Sequence, residues 1–158
     1  MGKGFCMSAV ISALAIAGWQ AYSLDVPAAT KPAKPQPVAF SLYCLRNIDE
    51  CPTKGPKKVA MTAQLRSTIA YVHYQVNAEI RPQSEADDVW QADVASGDCD
   101  DYVMTKRRRL IEAGIPPTAM GLRLKRLADG EGHVTLLVRT TEGTYELDNL
   151  RKSVIRRF

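Results

Sequence analysis

The sequence predicts an α+β domain in which two helices precede an antiparallel sheet, with a thiol at the start of the second helix. Three observations carry this. Apolar residues recur at helical spacing from Lys58 to Ile80, and a second helical stretch runs from Asp98 to Ala113. From Leu122 onward the pattern changes to strand alternation, broken at Asp129-Gly130 and Glu142-Gly143. At 158 residues the chain holds one domain. Its 46% hydrophobic and 24% charged content argues against disorder in the body. The net charge of +4 permits an anionic partner without requiring one.

Residues 1–23 read as a secretory signal: Lys3 gives a positive start, and Met7 to Ala17 is apolar. Ala15-Ile16-Ala17 is a small-x-small cleavage candidate, with Ala21-Tyr22-Ser23 as a second. The apolar run is shorter than the roughly 20 residues of a membrane span, so an uncleaved anchor is the weaker reading. A periplasmic or secreted protein is the expectation. Residues 24–39, rich in Pro, Ala and Lys, read as a linker, and the folded body is expected over 40–158.

Cleavage would remove Cys6 and leave Cys44, Cys51 and Cys99. In an oxidising compartment the two near neighbours, Cys44 and Cys51, are expected to pair. Cys99 is then the odd one. The helix before it, Lys58 to Ile80, buries Val59, Leu65, Ile69, Val72, Val76 and Ile80, and Pro82 closes it. His73 on that helix reads as structural. In the second helix Asp98 is placed to cap, and Gly114 to stop, the run. Cys99, Tyr102, Val103, Lys106 and Leu110 share its core face, so Lys106 needs a carboxylate or solvent. Arg107 to Arg109 read as a solvated basic surface.

The strands follow as Leu122 to Leu127, His133 to Thr140 and Thr144 to Leu150. A four-residue loop over 140–143 places residue 139 opposite 144 and residue 135 opposite 148. His133 and Asp148 then meet diagonally on one face. A two-residue loop is expected to move Asp148 opposite Leu137, too far for contact, so the pairing demands the longer loop or a bulge.

A thiol, an imidazole and a carboxylate in this chain order are the parts of a cysteine nucleophile, its base and its orienter: Cys99, His133 and Asp148. A helix start suits the thiolate, because free amides and the helix dipole favour negative charge. The flanking carboxylates oppose it. At about 6 Å and an effective dielectric of about 20, each costs a thiolate roughly 3 kcal/mol. Either they cap a helix beside an inert cysteine, or a cation neutralises them; Asp98 and Asp100 are the candidate calcium ligands.

The block GDCDDY, followed by KRRRLIEAGIP and GHVTLLVRTTEGTYELDNL, resembles the bacterial transglutaminase-like cysteine peptidases. SLYCLRNIDEC, VNAEI and DDVW extend the resemblance over roughly residues 42 to 150. It implies export, a papain- and transglutaminase-like scaffold, and Cys99, His133 and Asp148 as a triad. The family's periplasmic adhesin-releasing branch depends on calcium, which implies Asp98 and Asp100 as ligands. It also implies a protein or peptide substrate and transient contact with a membrane-bound regulator. Two departures stand out. Asp100 replaces the family's usual Glu, one methylene longer, and family members usually continue for some tens of residues past the LDN motif.

The expected function is an exported cysteine endopeptidase. The same acyl-enzyme resolved by an amine gives a transglutaminase, and an amidase is a third outcome. The competing class is a non-catalytic or truncated module that binds calcium or protein. Nucleic-acid binding through Lys106 to Arg109, Lys125-Arg126 and Arg156-Arg157 lacks a recognition motif and is not expected.

Overall fold

The computed structural model describes residues 37–84 and 88–158. The signal peptide and most of the linker expected over 1–39 lie outside the described residues. Helix α1 (Val38–Arg46) begins inside the stretch read as linker, because Ala39 and Tyr43 are buried against the body. A short 3-10 turn (Ile48–Glu50) follows, and a disulfide joins Cys44 to Cys51 around it.

Helix α2 (Ala63–Glu79) starts later than the apolar spacing suggests. The Thr62 hydroxyl accepts the Leu65 amide at 3.0 Å and caps it. Val59 instead bridges Thr140 in parallel, exchanging backbone hydrogen bonds with Arg139 and Thr141. Two short strands, β1 (Arg81–Pro82) and β2 (Ser96–Gly97), pair in parallel just before helix α3 (Cys99–Glu112). At its far end, Gly114 takes a φ of +87°, and the Ile115 amide returns to the Leu110 carbonyl at 2.9 Å. Together with the Gly114 bond to Ile111, this makes a Schellman stop.

A 3-10 turn (Pro117–Ala119) leads into an antiparallel sheet of β3 (Met120–Arg126), β4 (Gly132–Thr140), β5 (Gly143–Leu147) and β6 (Ile155–Arg157), in that spatial order. Val134, Leu136 and Val138 of β4, with Tyr145 and Leu147 of β5, turn to the core with α3 residues Val103, Met104 and Leu110. Alternation sends His133, Thr135 and Glu146 to the opposite face. Glu146 is buried there, accepting from Thr135 at 2.8 Å and from Arg123 at 3.0 Å, with Arg157 beside them.

The β4–β5 register is the one that brings His133 and Asp148 together: Arg139 pairs with Thr144. Thr140 and Gly143 pair as well, so the loop is Thr141-Glu142, two residues rather than four. The Thr140 hydroxyl donates to the Gly143 carbonyl at 2.7 Å and closes it. Strand β5 ends at Leu147, which leaves Asp148 as the first residue beyond it.

Arg107 to Arg109 are not a solvated surface. Arg107 is buried and donates to Glu50, and Arg108 reaches Glu50 at 2.8 Å and Asp93 at 3.0 Å. Arg109 pairs with Glu79 at 2.6 Å. The disulfide-closed turn delivers Glu50 to α3, where Tyr43 also donates to it at 2.7 Å. These cations therefore fasten α1 and α2 to the helix that begins with Cys99.

Candidate active site

Cys99 is the first residue of α3, where backbone amides lack intrahelical partners. The Asp98 carboxylate caps the helix by accepting the Asp100 amide at 3.3 Å. Gly97, just before it, has no room for a side chain: a Cβ there would overlap the Asp101 carboxylate. Asp101 is in turn anchored by the Gln91 amide at 3.0 Å, which ties the helix start to the preceding loop.

His133 is buried at the start of β4, and its Nε2 lies 2.9 Å from Asp148 Oδ1. Asp148 is also held by Lys125 at 2.8 Å and by the Leu150 amide at 3.0 Å. Burial pushes the Asp148 carboxyl up, but hydrogen bonds from Lys125, His133 and the Leu150 amide outweigh it and bring it down to about 2. An ionised carboxylate only accepts, so Nε2 of His133 must donate. That fixes the tautomer and leaves Nδ1 as the ring nitrogen for another partner.

Cys99 and His133 line one cleft of about 330 Å³, walled by Pro82, Gln83, Asp98, Tyr102, Asn149 and Leu150 among others. The Val134 amide, next to His133, is hydrogen-bonded to the Cys99 sulfur. The fold thus brings Cys99, His133 and Asp148 to one place. His73 lies apart from the cleft, bonded through Nε2 to the Arg151 carbonyl at 3.0 Å.

The electrostatics around the thiol are adverse. Burial, helped by the charges of Asp98 and Asp100 and opposed by the Val134 amide, pushes the Cys99 thiol up to about 11. Asp100 itself is raised to about 9 by burial, by its hydrogen bond with Asp98, and by the charges of Asp98 and Asp101. Oxygens of Asp98 and Asp100 and the Cys99 sulfur lie within 4.8 Å of one another. Two carboxylates suit a hard cation such as calcium, although they supply only part of its six to eight oxygen ligands. The sulfur is a poor calcium ligand and would stand beside such an ion.

Residues 30–157 match the family profile of the bacterial transglutaminase-like cysteine proteinases (BTLCP). The chain belongs to this family. No curated protein matches it in sequence. Among solved structures it is similar to calcium-bound LapG of Legionella pneumophila, with a TM-score of 0.52 and 18% identity over 75% of this chain and 67% of that one. Two further LapG structures, one of them EGTA-treated, match at 19% identity with a TM-score of 0.52. Each covers 77% of this chain, with 70% and 68% of the LapG chain respectively. At that identity the likeness is one of fold: the BTLCP scaffold, with mixed helix and antiparallel sheet.

Sequence reasoning missed Lys125 and the amides of Val134 and Leu150. Lys125 stands directly opposite His133 in the β3–β4 register, a pairing that strand alternation alone does not give. Lys106 was expected to need a partner. It is fully buried over the Tyr102 ring at 5.6 Å, and burial lowers it to about 7, against the opposing pull of Asp148.

An Asp carboxyl titrates near 3.9 when unfolded, so a folded value of about 2 stabilises the native state fully above about pH 4. That stabilisation disappears as pH falls through 2. Asp148→Asn should therefore cost about 2 kcal/mol at pH 6, with the gap to wild type closing toward pH 2 in urea titrations.

Proposed function

We propose that the protein is an exported cysteine endopeptidase using Cys99 as nucleophile, His133 as general base and Asp148 as the group that orients His133. The observation that carries this reading is the buried 2.9 Å contact between His133 and Asp148 in the cleft that also holds Cys99. Nδ1 of His133 takes the Cys99 proton as the sulfur attacks a backbone carbonyl carbon. The imidazolium, stabilised by Asp148, then protonates the leaving amine as the C–N bond breaks. Water, deprotonated by His133, attacks the thioester and releases the acid and the free thiol. Amides at the start of α3 are placed to stabilise the oxyanion. An amine in place of water would make the same intermediate a transglutaminase product.

Asp98 and Asp100 are the residues that would hold calcium. The ion would supply positive charge beside the thiol, offsetting the two carboxylates that otherwise disfavour the thiolate. Membership of the family, the disulfide and the apolar residues 7–17 support export to an oxidising compartment.

A second reading, a non-catalytic member of the fold, is favoured by one observation: the thiol pushed up to about 11. Alkylation of Cys99 by a thiol-directed probe separates the two. We expect rapid labelling, followed by mass spectrometry, that slows by about 100-fold in His133→Ala. Equal, slow labelling of both chains supports the non-catalytic reading.

Calcium should raise the thermal midpoint at millimolar concentration, and Asp98→Asn should remove the rise. A differential scanning measurement with no shift in the wild-type chain would exclude the calcium site.

A further inference from the structure

We propose that the substrate groove continues past the cleft across the outer side of α2, and that this extension binds an acidic stretch of the polypeptide substrate. The inference rests on the cysteine-peptidase reading and adds a substrate class to it. Asn149 and Leu150 wall the cleft on one side and a second hollow of about 460 Å³ on the other. Tyr74 and Lys152 wall that hollow and also a third, of about 440 Å³, between α2 and the segment from Lys152 to Arg156. Shared walls thus link three depressions end to end, starting at Cys99.

Their charge is one-sided. The cleft carries Asp98 and Glu131, but every formally charged side chain lining the second and third hollows is a cation: Arg66, Arg151, Lys152 and Arg156. Three of these already have acceptors. Arg66 pairs with Glu142 at 2.6 Å, Arg151 approaches Asp148 at 3.8 Å, and Arg156 donates to the Glu142 carbonyl at 3.0 Å. Lys152 is exposed and has no ion-pair partner among the described residues. The remaining ionisable groups facing the groove are His73, Tyr74 and Tyr145.

Apolar surface lies between the cations. Tyr74 is 68% exposed and Leu150 60%, and both stand on the walls that the hollows share. Cations alternating with apolar ridges complement a peptide of acidic and aliphatic residues and repel a basic one. The chain's own linker, with Lys31 and Lys34 against Asp25, does not complement this groove. A nucleic acid would also be drawn to the cations, but continuity with the cleft around Cys99 favours a polypeptide.

The test measures binding by fluorescence anisotropy to the full chain carrying Cys99→Ala. The probes are a fluorescein-labelled peptide of Glu, Leu and Gly, its Lys-for-Glu counterpart, and a labelled oligothymidylate. The acidic peptide should bind, the basic one should not, and adding Lys152→Glu should weaken acidic-peptide binding by about fivefold or more. In the wild-type chain the acidic peptide should also slow Cys99 alkylation. Unchanged affinity in Lys152→Glu, tighter binding of oligothymidylate, or binding that leaves alkylation untouched each overturns the proposal. Failure of the peptidase reading looks different: Cys99 labels slowly and independently of His133, whatever the peptide does.

Discussion

The hydrogen bond between His133 and Asp148 is the interaction on which the rest of the site depends, and it is a product of strand register. Pairing of Arg139 with Thr144 sends His133 and Asp148 to the same face, and a one-residue slip would turn every side chain of β5 to the other side. The closing pair of Thr140 and Gly143 pins that register from the loop end. Lys125, reaching across from β3, holds Asp148 from the other side. Three strands thus converge on one carboxylate, which in turn fixes the orientation of one imidazole.

Cys99, the proposed nucleophile, is delivered independently, by the start of α3. That helix is buried over most of its circumference, and its arginines bind the turn enclosed by the Cys44–Cys51 disulfide. The disulfide is distant from the chemistry in sequence, yet it presents Glu50 to the helix that positions Cys99. Positioning is therefore robust while the local field is adverse. Helix amides and the Val134 amide favour a thiolate; burial, Asp98 and Asp100 oppose it. On the proposed reading, a cation beside those carboxylates would resolve the conflict and give the acidic residues a role beyond capping.

Much of this was legible in the chain. Cys99, His133 and Asp148 were readable because helix capping and strand alternation are local signals, and the fold gathers all three. The loop length was misjudged because side-chain alternation reports register but not whether the last pair closes. Arg107 and Arg108 were misread because their shared acceptor, Glu50, lies more than fifty residues away in sequence, and Arg109 because Glu79 sits on another helix; both arrive through tertiary packing. Helix α1 escaped notice for a related reason: only Ala39 and Tyr43 of its nine residues are buried, too few to show a period behind a proline-rich stretch. The groove beyond Leu150 is likewise invisible in sequence, since α2 and the segment after Asp148 meet only in the fold.

Nitrogen NMR of the imidazole rings tests the central claim most directly. The chain has only two histidines, so His73→Gln assigns the remaining signals to His133. The account predicts that Nε2 of His133 carries a proton throughout, donated to Asp148, and that the Nδ1 signal moves when Cys99 is alkylated. An unprotonated Nε2, or an Nδ1 signal indifferent to Cys99, would contradict it.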